Sequence, residues 1–524
     1  MIDVVIAGGG PNGLMLAGEL ALNGIRPVVL DPMPGPNPMR RANGVIGQGV
    51  RILDHRGLYG ALAGTSDPPR LNPRPMFAAF PLDLTSMIDS QVFLLPVQQP
   101  KLVQALADRA DQHDVDLRWG HALIGFDQDA AAVTVDVAGP GGTYALRTKY
   151  LIGADGGTSM TRKLAGIDFP GMSSYDLVAR MGFDVLPPAD WIDPVSGGLD
   201  VPGFGRVPPL QFHRADHGVF AYGALGGRAA MIVFELDAAA REEPLDDADD
   251  QPPMSLAELE ASAKRVLGAD VPLRAVSPDA APDLRRFCGI NSRIASRYRA
   301  GRVILVGDAA HVHSPMGGPG LNLGLQDAVN LGWKLAAVLR GRVEPELLTT
   351  YEAERRPAAE RVIMHSRAQL ALVRPGPEVT ALRQLFSELL TDSDIARRLS
   401  NLISGAENRY SADPQAHPLT GHWVPEFGVS NGGQTRRVAE LARTGLPLLI
   451  DLTEAGCVAA AVTDAADQLT VAVGRPDGEV SATALLVRPD GYVAWASSAA
   501  LPDVAELRRA LARWFGLCAT TPSS

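Results

Sequence analysis

The first 31 residues alternate between strand, glycine loop, helix and strand, an order that few folds accept. Asp3–Ala7 is a short apolar run typical of a buried strand, and GGGPNG follows it. Apolar residues then recur at helical spacing until Asn23-Gly24, a dipeptide typical of a helix end. Pro27–Leu30 is a second strand closed by Asp31. The start of the chain therefore predicts a βαβ unit.

The glycines of this unit have the spacing GxGxxG between a strand and a helix. Gly8 permits the tight turn, Gly10 lets the backbone approach a pyrophosphate, and Gly13 lets the helix pack against the strand. Asp31 can accept hydrogen bonds from ribose hydroxyls and would repel a 2′-phosphate. These features predict FAD or NAD rather than NADP, with an ordinary glycine turn as the alternative. The predicted ligands are Gly8, Gly10, Pro11, Asn12, Gly13 and Asp31.

A second glycine-rich stretch, GDAAHVHSPMGGPGLNLG at 307–324, also lies between a predicted strand and a long predicted helix. Asp308 can hold a sugar-alcohol hydroxyl, while the glycines let a flat ring lie against the backbone. The helix that begins near Leu321 would stabilise negative charge on a reduced flavin through its dipole. A metal site at His311 and His313 is disfavoured because no third ligand follows nearby. A Ser314 nucleophile is disfavoured because no G-x-S-x-G elbow is present.

The remaining elements predict a chain of several parts. Helices are expected over Val50–Leu58 and Lys101–His113, and a hairpin over 133–148 followed by a separate strand Tyr150–Gly153. The 169–284 region is predicted to contain short strands and proline-rich loops, with an acidic, solvated loop at Arg241–Pro253. The predicted division is 1–168, 169–284, 285–400 and 401–524.

Composition narrows the partners and the compartment. The 524-residue chain has a net charge of −11, which argues against nucleic acid and against an anionic membrane surface. The start MIDVVIAGGG has no basic n-region, so no secretory signal is expected. The cysteines (Cys288, Cys457 and Cys518) form no CxxC, as expected of reduced thiols in a cytoplasmic protein.

A third motif joins the other two and leads to a family. GADGGTSMTR at 153–162 follows a predicted strand and starts a helix. This stretch resembles the DG motif, and 307–324 with the helix behind it resembles the GD motif, of the FAD-dependent group A monooxygenases of the para-hydroxybenzoate-hydroxylase fold. GGGPNG with Asp31 resembles the nucleotide fingerprint of the same family, and the resemblance covers about 1–370. YEAERRP at 351–357 resembles the same family.

The tail resembles the thioredoxin-like domain of the subgroup that tailors aromatic polyketides and hydroxylates phenols. Without a CxxC it is expected to have no redox activity of its own. The resemblance implies an α/β (α+β) fold, with a Rossmann-like FAD-binding domain, an inserted β-rich substrate domain and a thioredoxin-like C-terminal domain.

The resemblance also assigns roles to residues. It places Gly8, Gly10, Gly13 and Asp31 on the adenosine half of FAD. It places the Leu123 backbone at the adenine, Gln99 on the flavin side, and Arg41 near the pyrophosphate and ribityl chain. Asp308 is expected to bind the ribityl chain, and Asp155 belongs to the motif used near both pyrophosphates. The residues expected along the isoalloxazine are Pro315, Gly318, Gly320, Leu321 and Asn322.

The stretch RRANGVIGQGVRILDHRGL departs from the family pattern. Ile46 stands in place of a histidine and Gln48 in place of an arginine, while Arg51 appears about one helical turn later. Two interpretations of Arg51 stay open: stabilisation of a peroxyflavin, or an exposed helix arginine. Thr158 stands where a basic residue is frequent, which weakens the expected NADPH contact.

The implied reaction is NADPH- or NADH-dependent hydroxylation of a large aromatic, polyketide-type or phenolic substrate by O₂ through a C4a-hydroperoxyflavin. Baeyer–Villiger insertion is the alternative, although enzymes of that kind usually carry two dinucleotide fingerprints and this chain has one. A non-catalytic flavin-binding module is the alternative of another class. We expect a monomer or homodimer. Candidate pocket residues, each also explained by core packing, are Phe212, Phe220, Tyr222 and Phe234.

Overall fold

The computed structural model describes residues 1–39, 42–85, 87, 91–225, 227–236, 252–277, 279, 281–410 and 413–517. The predicted ligand Arg41 and most of the acidic loop at Arg241–Pro253 lie outside the described residues.

The first 168 residues supply most of a mixed sheet and the helices that cover it. The elements in chain order are β1 (Ile2–Ala7), α1 (Pro11–Leu22), β2 (Val28–Asp31), β3 (Val45–Ile46), α2 (Gln48–His55), α3 (Tyr59–Ala63), β4 (Met76–Phe77), β5 (Phe80–Pro81), β6 (Leu94–Leu95), α4 (Gln99–Gln112), β7 (Asp116–Trp119), β8 (Ala122–Gln128), β9 (Val133–Gly139), β10 (Gly142–Gly153) and α5 (Met160–Leu164). β1 pairs in parallel with both β2 and β10, so the predicted βαβ unit is confirmed.

β10 corrects one prediction. The sequence predicts two strands, 144–148 and 150–153, whereas the structure has one strand of 12 residues. Its first half pairs antiparallel with β9, and residues 148–153 pair in parallel with β1. Lys149, the one residue between the predicted strands, is therefore an outward-facing position of a continuous strand and pairs with Asp3.

The next elements build an antiparallel sheet and then a helical region. They are β11 (Gly171–Phe183), β12 (Val185–Leu186), β13 (Leu199–Val201), β14 (Gly205–Val207), β15 (His213–Ala215), β16 (Gly218–Leu225), β17 (Arg228–Leu236), α6 (Leu256–Leu267), β18 (Arg274–Ala275), β19 (Asp283–Ile294), β20 (Arg299–Ala300), β21 (Val303–Leu305), β22 (His311–Val312), α7 (Pro319–Leu339), α8 (Thr349–Val373), α9 (Pro377–Leu389) and α10 (Ser393–Ser404).

The two main sheets meet at the GD motif. The first has the order β20-β21-β10-β1-β2-β7, with β9 and β8 attached to β10; the second is β15-β16-β17-β11-β19-β22. β19 begins at Asp283 and pairs along β11, so the predicted boundary at residue 284 falls inside a strand. β22, which belongs to the GD motif, pairs with the end of β19 and extends the second sheet.

The C-terminal part forms a smaller sheet of its own. Its elements are β23 (Gly428–Asn431), β24 (Gln434–Arg437), α11 (Val438–Leu441), β25 (Leu448–Asp451), α12 (Cys457–Ala460), β26 (Thr470–Val473), β27 (Arg475–Pro476), β28 (Ala484–Val487), β29 (Val493–Ser497) and α13 (Val504–Phe515). The order is β26-β25-β28-β29, in which only β25 and β26 run parallel.

Helix α7 lies at the centre of the molecule. The sequence predicts one apolar face, yet the polar residues Asp327, Asn330 and Lys334 of the other face are buried as well. They contact α8 and the C-terminal part: Asp327 pairs with Arg355, Lys334 pairs with Glu354, and Asn330 donates to Asp490. Among the described residues, no helix combines the length and the apolar character needed to cross a membrane.

Candidate flavin site

The first glycine motif forms a tight cradle against the DG motif. Gly8 has φ +114°, and a Cβ there would collide with the carbonyl oxygen of Ala154. A Cβ on Gly13 would collide with the carbonyl oxygen of Gly8. Glycine is therefore required at both positions by backbone packing alone.

Gly10 differs from the other two glycines because it faces open space. It is the N-cap of α1 with ordinary extended φ and ψ, and no atom lies within 4 Å of a Cβ built on it. The first turn of α1 therefore begins beside a space that the protein does not fill, an arrangement suited to a pyrophosphate.

Asn12 links the first motif to the GD motif. Its side chain packs against both Gly307 and Gly324, where a Cβ would collide with the Asn12 amide. Its Oδ1 is buried and has no hydrogen-bond partner among the described residues. A buried acceptor without a partner is costly, so this oxygen has the capacity for one more hydrogen bond where the two motifs meet.

Asp31 closes the cradle at the end of β2. Its Oδ2 accepts a hydrogen bond from the Gly9 amide at 2.7 Å, and its Oδ1 accepts one from the Met33 amide at 2.9 Å. Each carboxylate oxygen has a second lone pair, so both can also accept from ribose hydroxyls. The His121 amide donates to the Asp31 carbonyl oxygen, which places Leu123 of β8 at the same edge.

Asp155 has a structural task in the DG motif. Its carboxylate accepts hydrogen bonds from the Ser159 hydroxyl at 2.5 Å and from the Thr161 amide and hydroxyl, both at 2.9 Å, at the N-terminus of α5. Arg162 donates to the Ala309 carbonyl oxygen at 3.0 Å and so joins this motif to the GD motif. Asp155 as a cofactor ligand stays a prediction beside this capping role.

The GD motif presents its loop to the same space. Asp308 lies half-buried in the turn Gly307–Ala309, while Pro315 and Gly318 are exposed. Gly318 has φ +63° and is the N-cap of α7, and a Cβ added to it would meet nothing within 4 Å, whereas Gly320 lies against the His313 ring. Leu321 follows in the first turn of α7.

The side chains of Asn322 and Gln99 accept hydrogen bonds from the backbone of residues 42–46. The Ile46 amide donates to Asn322 Oδ1 at 2.7 Å, and Asn322 Nδ2 donates to the Gly318 carbonyl oxygen at 3.0 Å. Gln99 Oε1 accepts from the Ala42 amide at 3.2 Å, next to the position of Arg41. Both side chains therefore bind protein backbone in this structure, and their flavin contacts stay predictions.

Arg51 is not an exposed arginine, so that interpretation is wrong. It is 5% exposed, and its Nη2 donates to the Val424 carbonyl oxygen at 2.7 Å. Its Nη1 donates to Gln91 Oε1 at 3.3 Å, and Glu426 lies 3.9 Å away. Burial lowers the pKa of Arg51 to about 10, against the charge of Glu426. The helix α2 turns this guanidinium toward the C-terminal part, and its role at a peroxyflavin stays a prediction.

The histidines of the GD motif have structural partners. His311 Nε2 lies 2.6 Å from Asp327 Oδ2, and Arg355 Nε donates to Asp327 Oδ1 at 2.7 Å. Burial alone would raise the pKa of Asp327, but His311 and Arg355 outweigh it and the pKa is lowered. His313 Nδ1 lies 3.0 Å from the Ser314 carbonyl oxygen. Sequence reasoning missed this ion pair because His311, Asp327 and Arg355 belong to three separate elements.

The candidate pocket aromatics divide between two faces of the second sheet. Phe220 and Tyr222 pack under α6 in a closed core with Leu259. Phe212 and Phe234 belong to a different apolar cluster, which also contains Met316 of the GD motif. Core packing therefore accounts for the first pair, and the second pair lies on the side of the glycine loops.

The arrangement fits FAD. Asp31 contacts the first glycine motif through the Gly9 amide, Asn12 joins that motif to the GD motif, and Gly10 and Gly318 leave open space at the starts of α1 and α7. Of these two helix N-termini, one is suited to a pyrophosphate and one to a reduced ring. The fold and these loops define a flavin-binding protein.

Comparison with known proteins agrees with this class. A family model described as "FAD binding domain" matches residues 1–366, and one described as "Aromatic-ring hydroxylase, C-terminal" matches residues 417–517. The chain therefore belongs to the FAD-binding aromatic-ring hydroxylase family and is an FAD-dependent monooxygenase.

Individual relatives span nearly the whole chain. A 12-dehydrotetracycline 5-monooxygenase/anhydrotetracycline 6-monooxygenase from Streptomyces rimosus is 39% identical, over 92% of this chain and 95% of the relative. A rifampicin monooxygenase from Streptomyces venezuelae is 34% identical, over 98% and 99%. The solved structure of the anhydrotetracycline hydroxylase OxyS from Streptomyces rimosus superposes with a TM-score of 0.82 at 36% identity, over 98% of this chain and 99% of that one.

Proposed function

We propose that this protein uses NADPH or NADH and O₂ to hydroxylate a large, multi-ring aromatic substrate of the polyketide type. One observation carries the proposal: the apolar cluster with Phe212 and Phe234 reaches Met316, directly beside Pro315 of the GD motif. A flat apolar substrate bound there would lie next to a ring held by that motif. The tetracycline- and rifampicin-named relatives support a substrate of this size.

The residues of the chain bind and orient the cofactor. Gly8, Gly10, Gly13 and Asp31 would hold the adenosine half, and Asp308 the ribityl chain. When bound, FAD supplies the electron transfer and oxygen activation that side chains cannot provide. The protein contributes the helix dipole of α7 and an apolar surrounding that excludes water.

We propose a thioredoxin-like fold for the C-terminal part. In chain order it contains β25, α12, β26, β28, β29 and α13, with β25 between β26 and β28 in the sheet. This order, with one parallel and two antiparallel pairs, supports the assignment. We keep the four-part division of the chain as a proposal as well, with the second boundary moved beyond β19.

The test is reconstitution with FAD followed by NADPH and NADH oxidation in the presence of anhydrotetracycline and rifampicin. We expect at least one to accelerate oxidation and to gain one oxygen as an aromatic hydroxyl, seen by mass and NMR. A lactone product would replace hydroxylation with Baeyer–Villiger insertion. The Asp308→Ala variant, expected to bind FAD weakly, shows whether turnover depends on this site.

A further inference from the structure

The hairpin β4–β5 contains a backbone conformation that its residues disfavour. Phe77 pairs with Phe80, so Ala78 and Ala79 form a two-residue turn. Both have positive φ, 50° and 63°. Hairpin turns of this type normally use Asn-Gly or Gly-Gly, since an alanine Cβ is strained in the left-handed region. Such strain persists only where surrounding contacts enforce it.

Two side chains from α8 and the following helix α9 enforce the turn. The Ala78 amide donates to Gln369 Oε1 at 3.1 Å, and Arg383 Nη1 donates to the Ala78 carbonyl oxygen at 2.7 Å. The Arg383 guanidinium also lies over the Phe80 ring at 3.9 Å. Ala78 is only 2% exposed, and both its amide N–H and its carbonyl oxygen have hydrogen-bond partners.

The Gln369 side chain also contacts the GD motif. A Cβ on Gly317 would lie 2.8 Å from Gln369 Nε2, so the Gln369 amide packs directly against the GD motif. Gln369 thus contacts the hairpin turn with one atom and the GD loop with another. This contact fixes the distance between the two.

The hairpin lies where the proposed substrate would bind. Phe77 and Phe80 belong to the apolar cluster that contains Met316 and Phe234. Phe386 of α9 lies behind them, at 6.0 Å from the Phe77 ring and 5.2 Å from the Phe80 ring. The cluster therefore joins the GD loop, the second sheet and this hairpin.

We infer that Gln369 and Arg383 are positioning residues that hold the strained Phe77–Phe80 turn as one wall of the aromatic-substrate pocket, at a distance from the GD loop that determines which ring systems fit. The inference rests on the proposed function. Neither residue is asked to touch a reacting atom. Their effect is expected on substrate affinity and selectivity, and not on FAD binding.

The experiment uses the full-length, FAD-loaded protein with Gln369→Leu and Arg383→Met. Gln104→Leu, on the exposed face of α4, is the matched control. We expect each hairpin variant to raise the dissociation constant and KM for anhydrotetracycline at least tenfold and to change its preference over rifampicin. FAD affinity should stay within twofold of the wild type. Arg383→Lys keeps a donor for the Ala78 carbonyl oxygen and should recover part of the loss.

Hydrogen exchange of the Ala78 amide provides a readout that needs no substrate. We expect protection in the wild type and at least a tenfold faster exchange in Gln369→Leu. Unchanged exchange, or anhydrotetracycline constants equal to those of Gln104→Leu, would overturn the inference. If the wild type neither binds nor oxidises either aromatic, the proposed function fails instead, while exchange still decides whether Gln369 holds the turn. Should Gln369→Leu not fold, Arg383→Met and Arg383→Lys decide by the same measurements.

Discussion

Gly10 is a position where a substitution should weaken cofactor binding without lowering the stability of the fold. Because a Cβ on Gly10 meets nothing, Gly10→Ala should leave the free energy of unfolding of the apoprotein within about 0.5 kcal/mol of the wild type. The same methyl group would stand where a pyrophosphate approaches the backbone. We expect FAD affinity to fall at least tenfold, about 1.4 kcal/mol, in a fluorescence titration.

Gly141→Ala, in the exposed β9–β10 turn with nothing near its Cβ, is the control and should change neither quantity. Gly13→Ala should instead impair folding, because its methyl group collides with the Gly8 carbonyl oxygen. Normal FAD affinity in Gly10→Ala would place the pyrophosphate elsewhere.

His365 makes stability depend on acid pH. This α8 residue is 3% exposed, and burial, together with the charges of His313 and Arg361, lowers its pKa from 6.5 to about 4. Between pH 6.5 and about pH 4, the unfolded chain therefore binds a proton at His365 that the folded protein does not bind. Stability should be complete above pH 6.5 and fall by up to about 3 kcal/mol as the pH drops to 4.

Urea unfolding at pH 7 and pH 4.5 measures this dependence. In His365→Gln the decrease between the two pH values should be smaller than in the wild type by most of that amount, because the titrating group is gone. His217→Gln, at an exposed site, should show the wild-type decrease. An equal decrease in all three proteins would assign the acid sensitivity to other groups.

The helix α5 tests whether Asp155 serves the fold or the cofactor. If its carboxylate mainly caps the helix, Asp155→Ala should lower the free energy of unfolding of the apoprotein by about 1–2 kcal/mol. FAD affinity, corrected for the unfolded fraction, should change little. Chemical denaturation and FAD titration of the same variant measure both. A large loss of FAD affinity with unchanged stability would make Asp155 a ligand and reject the capping role.

The elements with a strong local pattern could be predicted from the sequence. The βαβ unit and the long helix α7 follow from apolar spacing and glycine placement alone. The continuous strand β10 could not, because alternate polar positions on a strand that changes partners resemble a break. Nor could the burial of the polar face of α7, since its partners are Glu354 and Arg355 of α8 and Asp490 of the C-terminal part.

The candidate site shows the same division. Gly8, Gly13 and Asp31 could be predicted because one short segment contains both the glycine spacing and the carboxylate. Asn12 as a bridge to the GD motif and Arg51 turned toward Val424 depend on contacts hundreds of residues apart in sequence. No sequence feature points to Gln369, because its proposed role depends on the backbone angles of a distant turn.

Buried charged groups join the C-terminal part to the flavin-binding part of the chain, so the C-terminal part is not a loosely attached tail. Arg56 pairs with Glu19 at 2.6 Å inside the N-terminal part and also donates to the Pro489 carbonyl oxygen at 2.6 Å. Arg488 pairs with Glu354 of α8 at 2.7 Å and with Asp490 at 2.5 Å. These buried charges join residues 488–490 to the elements that hold the GD motif.

Arg488→Met should therefore destabilise the flavin site and the C-terminal part together. Its loss leaves the buried carboxylates of Glu354 and Asp490 with fewer cations, and breaking such a network costs about 3–5 kcal/mol. Lys334, 2.7 Å from Glu354, can offset part of this cost, which places the expected loss near the lower figure. Tryptophan fluorescence, which includes Trp423, Trp495 and Trp514 of the C-terminal part, and release of flavin fluorescence should report one coincident urea transition, shifted to lower urea.

Arg436 is an exposed residue of β24, and Arg436→Met is the matched control. It should change the free energy of unfolding by less than about 0.5 kcal/mol. Two separate transitions in the wild type would contradict a shared core, whatever the variant does. If Arg488→Met shifted only the tryptophan signal and left flavin release unchanged, the buried charges would not stabilise the flavin site. A coincident shift of both signals is the result that the packing of Val4 and Leu485 in one apolar cluster predicts.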